Sequence, residues 1–379
     1  MIVLASMSLL IWLYLYLLHG RFWHCDQKVN TKLVNSSSYP SVVAVIPARD
    51  EFETISTTVR SLLDQDYPGN FSIIVVDDNS TDGTAEAALS TVTSDAERTR
   101  VQVVDGEILK NGWVGKMWAV SQGVEVAGNP DYLLLTDADI EHFPSSLSAL
   151  VAKAEIKNLG LVSLMVKLRC QSVWEKLLIP AFIYFFQKLY PFPKVNNPDD
   201  RIAAAAGGCM LVHTETLVNA GGIEEIKDNI IDDCALARLI KPYRPIWLGL
   251  SDETKSLRAY ESINPIWRMV TRTAYVQLDH KLLLLVGTVI GMGVLYLAPP
   301  MALVLGLYFD NTTTLALGLV TWLIMAWTFL PTLNLYGLNA LWAPILPLAG
   351  LLYLFMTLDS ARIYYAGQGG AWKGRTYGP

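Results

Sequence analysis

The chain has 379 residues and a formal net charge of −6, with 52% hydrophobic but only 17% charged residues. A soluble domain carries about 25% charge, so this balance points to a membrane protein. The acidic excess and the lack of a basic run with interleaved aromatics exclude nucleic acid as the expected partner. Cys25, Cys170, Cys209 and Cys234 make no C-x-x-C pair and have no histidine at zinc-ligand spacing, which predicts reduced thiols.

Residues 2–18 are apolar and uncharged, and His19, Arg21, His24, Lys28 and Lys32 follow them. A secretory signal has its basic residues before the apolar run and a small-residue cleavage site after it. The reverse order predicts an uncleaved anchor over 1–20 whose basic end is cytoplasmic; a cleaved signal is the competing reading. Residues 35–40 read as a polar linker. From residue 41 short apolar strands alternate with helical periodicity. Strands are expected at 42–46, 71–76, 101–104, 132–135 and 161–166. Ile55, Val59, Leu62 and Leu63 mark one helix, 116–127 is a second, and Leu147, Leu150, Val151 and Ala154 mark a third that starts at Pro144. Continuously apolar strands alternating with helices imply an α/β domain over 41–262, with a mostly parallel sheet covered on both faces. The aromatic-rich stretch 174–192 reads as an interfacial helix, or as buried aromatic core. Residues 263–280 read as an amphipathic juxtamembrane helix. Within 281–360, the segments 282–307, 314–330 and 341–358 approach membrane-spanning length. Three crossings put the tail, 361–379, outside, whereas Arg362, Lys373 and Arg375 favour the inside. A re-entrant hairpin broken at Pro299-Pro300 reconciles the two, so an internal tail is expected.

Acidic residues fall where strands end. Asp77-Asp78 closes one strand and Thr136-Asp137-Ala138-Asp139 another. Ligands of open parallel sheets bind at that carboxyl edge. On an extended segment Asp137 and Asp139 share a side and reach one hard cation, Mg2+ or Mn2+, which bridges carboxylates to substrate phosphates. Solvated turn aspartates are the alternative. The first βα turn, Ile46-Pro47-Ala48-Arg49-Asp50-Glu51, lacks the glycines of a dinucleotide site and of a P-loop. Its acids either contact a base or ribose or simply match the helix dipole. Lys116, after Gly112-Trp-Val-Gly, suits a phosphate or snorkels at the surface. Asp232 and Asp233 open a helix as a cap pair, or supply the general base that deprotonates an attacking hydroxyl. Gly207-Gly208 and Gly221-Gly222 let backbone approach a sugar, or are turns. Arg268 and Arg272, four apart on one helix face, hold a leaving diphosphate or touch anionic lipid.

The ordered motifs Ile-Pro-Ala-Arg-Asp-Glu, Val-Val-Asp-Asp-Asn-Ser-Thr-Asp-Gly-Thr, Thr-Asp-Ala-Asp and Ile-Asp-Asp resemble those of the family 2 glycosyltransferases, across residues 41–280. Gly112 to Ala119, Arg268 to Thr273 and the Trp372-Lys-Gly-Arg375-Thr-Tyr tail resemble most closely the hopanoid (hopene)-associated members. These stand among membrane-bound lipid glycosyltransferases, alongside ceramide glucosyltransferases. The resemblance implies a GT-A fold and inversion at the anomeric carbon. It implies a nucleotide-sugar donor, by family default a UDP-sugar, and a lipid acceptor, hopanoid or sphingolipid-like, at the cytoplasmic face of a bacterial inner membrane. Pro47, Arg49, Asp50, Glu51, Asp77, Asp78, Lys116, Asp137, Arg268 and Arg272 would face the donor. Asp137 and Asp139 would serve the metal and Asp233 would be the base. Asp232-Asp233 stands where the family has Glu-Asp, so both acids stay candidates. The Gln-x-x-Arg-Trp motif is absent, which argues against a processive polysaccharide synthase. A non-catalytic scaffold is the remaining alternative.

Overall fold

The computed structural model describes residues 1–29 and 39–369 and the strand pair Ala371–Trp372 and Arg375–Thr376. Lys32, most of the 35–40 linker and Lys373 lie outside the described residues.

Eight strands form one sheet: β1 (Val42–Ala48), β2 (Phe71–Asp77), β3 (Val101–Asp105), β4 (Tyr132–Thr136), β5 (Ile140–Glu141), β6 (Leu161–Lys167), β7 (Cys209–His213) and β8 (Ile246–Ser256). Their order is β3-β2-β1-β4-β7-β6-β8-β5. The run β3-β2-β1-β4 is parallel throughout. β7 then runs antiparallel to both β4 and β6, β6 and β8 are parallel, and β5 is antiparallel to β8. The expected parallel sheet is therefore mixed in its second half, with helices on both faces as a GT-A sheet has them.

β1 explains why its half is parallel. All seven of its residues are buried. Val42, Ala44 and Ile46 pack with Ile55, Val59 and Leu62 of helix Phe52–Leu63. Val43 and Val45, on the opposite face, pack with Met117, Ala119 and Val120 of helix Gly115–Ala127. Gly123 permits that second helix its close approach, since a Cβ there would sit 2.4 Å from Val45 Cγ1. The carboxyl ends of β1, β2 and β4 consequently lie on one edge, which is where the acidic turns emerge.

Three helices, Leu282–Tyr308, Thr312–Leu335 and Ala340–Tyr365, are long and apolar enough to cross a membrane. Helix Ile2–Leu17 is shorter; its 16 residues rise roughly 24 Å against a hydrocarbon core of about 30 Å. The expected hairpin at Pro299-Pro300 does not form. The first helix is continuous because a π turn, Gly293–Leu297, precedes the prolines. A proline gives no N–H to the carbonyl four residues earlier, and such a carbonyl needs another donor in an apolar setting. Trp12 supplies one, its Nε1 donating to Leu295 O at 2.9 Å, and Ser8 Oγ donates to Val294 O at 2.7 Å. The N-terminal helix is thus docked onto the interruption.

The reversal occurs later. Tyr336, just past helix Thr312–Leu335, lies against the end of β6, with Lys167 Nζ 5.9 Å from its ring centre. The chain then moves away until Pro344 O accepts from Trp322 Nε1 at 3.0 Å. Helix Leu346–Tyr365 returns to the segment that follows the α/β domain, where Asp359 accepts from Trp267 Nε1 at 2.8 Å and Ser360 Oγ accepts from Tyr275 N at 3.0 Å. Both ends of this segment lie on the domain side.

The stretch expected as an interfacial helix, Val173–Leu189, is largely core. Tyr184 is fully buried, donates or accepts at Thr328 Oγ1 and packs on Phe22 and Phe329. Phe185 meets Tyr296 and Tyr353. Its aromatic residues fill the seam between the domain and the apolar helices, which composition alone does not distinguish from a lipid-facing belt. The four cysteines are free thiols.

Candidate active site

The loop after β1 is laced to the loop after β2. Asp50 adopts a left-handed φ of 50°. Its N–H donates to Ser80 Oγ at 3.0 Å, and its Oδ1 accepts from Thr81 N at 2.9 Å. Ser80 donates to Asp77. The Arg49 guanidinium donates to Asp78 O and lies 3.8 Å from Oδ2 of that buried carboxylate. Arg49, Asp50, Asp77 and Asp78 thus form one polar shelf at the ends of β1 and β2. Simple capping does not account for Asp50 or Glu51, because Asp82 takes the first helical amide, Phe52 N, at 3.0 Å.

A second cluster faces the end of β4. Lys116 does not snorkel. From the first turn of its helix it reaches inward, its Nζ 2.9 Å from both Asp137 Oδ1 and Asp232 Oδ2. Burial opposes the Lys116 charge, but Asp137 and Asp232 more than compensate and raise its pKa. Asp233 sits beside it, with Gly207 N donating to Oδ2 at 2.9 Å and Cys234 N to Oδ1 at 2.7 Å. Burial first, then the neighbouring Asp232 charge, push Asp233 up to about 6, against the pull of Lys116 and the two amides. A Cβ on Gly207 would fill the space 3.4 Å from Lys116 Nζ and 3.5 Å from Asp233 Oδ2, so this glycine leaves room between carboxylate and cation. Gly221 and Gly222 have φ of 100° and 76° and form a turn. Pro47, Lys116, Asp137, Gly207 and Asp232 line one small cavity.

Asp137 and Asp139 depart from the extended geometry expected of them. They lie in the turn between β4 and β5, and different cations hold them. Asp137 faces Lys116, whereas Asp139 Oδ2 accepts from Arg258 Nε at 2.8 Å and from Ser256 Oγ at 3.3 Å. Burial raises the Asp137 pKa, Lys116 opposes the rise, and the charges of Asp139 and Asp232 add to it. Among the described residues no group of three or more His, Cys, Asp or Glu forms a self-sufficient metal cage. The donor set nonetheless suits Mg2+ or Mn2+. Such ions use one or two carboxylates and complete their shell with water and substrate phosphate, and both carboxylates here already balance a positive charge.

Arg258 is the residue that sequence reasoning missed. Its guanidinium joins Asp139 to Glu51, with Nη2 donating to Glu51 Oε1 at 2.8 Å. Burial works against its charge and the two carboxylates outweigh that, raising its pKa. No motif announces it. The stretch before it, Ser251 to Ser256, is polar throughout, so only the structure shows Thr254 and Ser256 buried and Glu253 and Lys255 exposed.

Arg268 and Arg272 are exposed on helix Ile263–Thr273, away from its buried Ile266 and Val270. They do not join the acid cluster. Arg272 instead borders a groove of about 510 Å³ with Trp113, Asp228, Tyr275, His280 and Tyr364, where the domain meets the apolar helices. Trp113 stands three residues before Lys116 in the chain, and Asp228 four before Asp232.

Residues 43–218 match the model of glycosyl transferase family 2. A comparison with curated proteins finds no match. Among solved structures, the chain is similar to the mannosyltransferase PcManGT from Pyrobaculum calidifontis, in complex with GDP-Man and Mn2+. That similarity has 15% identity and a TM-score of 0.56, covering 95% of this chain and 98% of that one. Weaker likenesses are to mannosyl-3-phosphoglycerate synthase from Rubrobacter xylanophilus (18% identity, TM-score 0.41, 65% and 78% covered) and to glucosyl-3-phosphoglycerate synthase from Mycobacterium tuberculosis with Mn2+ and UDP-glucose (18%, 0.40, 63% and 78%). The fold is that of the GT-A glycosyltransferases.

Proposed function

We propose that this chain is a membrane-anchored inverting glycosyltransferase that moves a hexose from a nucleotide-sugar donor to a hydroxyl of a lipid acceptor. The observation that carries the reading is Asp233, a carboxylate held by two backbone amides, raised towards neutrality and facing Lys116 across Gly207. A base of that kind suits one displacement. The acceptor hydroxyl attacks the anomeric carbon, its proton passes to Asp233, and the bond from that carbon to the diphosphate breaks. Two adjacent acids, one neutralised by Lys116 and one not, divide the work: Asp232 positions the lysine and Asp233 accepts the proton. The shelf of Arg49, Asp50, Asp77 and Asp78 receives the base and ribose. Lys116 offsets charge on the departing diphosphate. Asp139 and Asp137 would hold a divalent ion, which when bound adds to that charge neutralisation.

The lipid acceptor is supported by the groove at Arg272 and His280, which is lined by Ser360 and Tyr364 of an apolar helix and by Trp113 and Asp228 of the segments that lead to Lys116 and Asp232. A hopanoid-type polyol acceptor is supported by the resemblance around Lys116, Arg268 and the tail. A catalytic domain on the cytoplasmic face is supported by the basic residues after the first helix. The test is transfer from labelled UDP- and GDP-sugars into a bacterial lipid extract by the full chain in lipid nanodiscs, with product identified by mass spectrometry. Asp233→Asn is expected to lose at least about 100-fold in kcat, the usual contribution of a general base. Full transfer by that variant, correctly folded, overturns the base assignment.

A further inference from the structure

We propose that Arg258 is a resident counter-ion, which occupies the cation position at Asp139 in the donor-free protein and moves onto the donor's diphosphate when a divalent ion takes that carboxylate. The inference rests on the glycosyltransferase reading and adds a residue to it.

Three observations point to Arg258. First, its backbone is pinned on both sides. Leu257 N donates to Asp139 O at 2.8 Å and Arg258 N to Ser256 Oγ at 3.3 Å, while Tyr260 N donates to Glu175 Oε1 at 2.8 Å and Ser172 Oγ to Tyr260 O at 3.0 Å. Glu175 is wholly buried and closes a capping box with Ser172, so this segment is fixed to the helix that seams the domain to the apolar helices. The guanidinium stands at the end of a side chain 41% exposed, and among the described residues its two ion pairs, not a packed core, hold it there.

Second, the guanidinium joins carboxylates from two different strand ends. Glu51 follows β1 and Asp139 follows β4, and each lies 2.8 Å from it. On the proposed reading the donor's diphosphate lies between the nucleotide shelf and Lys116, and Glu51 and Asp139 belong to the same two loops as Asp50 and Asp137. In the donor-free protein the guanidinium relieves the repulsion among the acids there. A divalent ion held by Asp139 would compete with Arg258 for that carboxylate and repel the guanidinium charge, so ion binding favours release of the arginine.

Third, the displaced group is well suited to its next partner. A guanidinium fork matches the oxygens of a diphosphate in the two-pronged geometry it uses for carboxylates. Metal and nucleoside diphosphate therefore bind cooperatively, because the metal frees the arginine and the diphosphate receives it. That coupling is reciprocal.

The experiment titrates Mn2+ into the full chain in nanodiscs, counting free ion by electron paramagnetic resonance, with and without GDP or UDP. The wild-type chain is expected to bind Mn2+ weakly alone and at least 10-fold more tightly with the diphosphate. Arg258→Ala should bind Mn2+ alone about 10-fold more tightly than wild type and lose most of the gain from the diphosphate. Arg258→Lys, which keeps the charge but not the fork, should fall between them. A thermal melt of each variant shows that the fold is kept. Unchanged Mn2+ affinity and unchanged coupling in Arg258→Ala would make the arginine a strut and overturn the proposal. So would wild-type transfer that is fully retained in EDTA, since the guanidinium would then be a permanent occupant. The Mn2+ readout needs no sugar transfer, so loss of the glycosyltransferase reading through Asp233→Asn and loss of this one are separate results.

Discussion

Asp233 and Lys116 face each other across one glycine, and the lysine's charge bears on the carboxyl's protonation. With Asp233 raised to about 6, the proposed base role predicts that kcat/KM climbs as pH rises through about 6 and levels off above it, since a base works only when deprotonated. Asp232 shares the titration, so the midpoint belongs to the pair. Lys116 lowers the Asp233 value; Lys116→Met should therefore move the acid limb of the residual activity to higher pH, and a limb that stays at 6 would refute the coupling. Stability runs in the opposite sense. A carboxyl whose folded value stands above its ordinary 3.8 favours the fold below about pH 4, and that contribution is lost as pH rises through 6. Asp233→Asn should accordingly melt higher than wild type at pH 8, by an amount worth at most about 3 kcal/mol, and gain nothing at pH 4. Equal melting shifts at both pH values would show that the group is not strained by burial. The acids and Lys116 were legible because each sits in a short motif at an element boundary. Arg258 was not. Its partners lie 119 and 207 positions away in the chain, and no local pattern encodes a pairing made only by the sheet's long-range order.

At the scale of elements, the parallel strands could be read because two-sided burial leaves an unbroken apolar run. β7 and β8 could not. β7 is five residues long and follows an alanine run and two glycines, and β8 changes from wholly buried to alternating midway. The aromatic helix Val173–Leu189 and the Pro299-Pro300 break share a different cause, in that the partner decides the structure. The helix Leu282–Tyr308 stays whole because the first helix brings Trp12 and Ser8 to carbonyls beside the π turn. Trp12→Phe keeps the ring's bulk and removes only the donor. It should destabilise the detergent-solubilised chain by about 1 kcal/mol, the scale of hydrogen bonds between apolar helices, with Ser8→Ala adding a smaller loss. Since Trp12 and Ser8 serve neighbouring carbonyls, the double variant should lose more than either alone. An unchanged melting curve for Trp12→Phe would mean the Leu295 carbonyl is satisfied otherwise.

At the scale of the whole molecule, the paths of the apolar helices decide where the tail lies. Length alone counts three crossings after the domain and carries the chain to the far side. The contacts trace another path. Helix Leu282–Tyr308 leaves the domain, Thr312–Leu335 comes back to Lys167, and the 340–365 segment turns at Pro344 beside Trp322 before returning to helix Ile263–Thr273. This path predicts two full crossings and one partial excursion, with the tail on the domain's side, which Arg362 also favours. The test places single cysteines in a chain with its native cysteines replaced: Asp310→Cys in the turn between the first two long helices, Gln368→Cys at the tail, and Asp252→Cys on the domain. In sealed vesicles a membrane-impermeant maleimide should label positions 368 and 252 from one face and position 310 from the other. Should 368 and 310 label together, the last segment crosses completely. Tyr336, at Lys167 of β6, and Asp359, at Trp267 of helix Ile263–Thr273, would then lie on opposite faces of the membrane, which the short chain from β8 into that helix forbids; so this labelling pattern tests the packing of the apolar helices against the α/β domain and its following helix as well as the side of the tail.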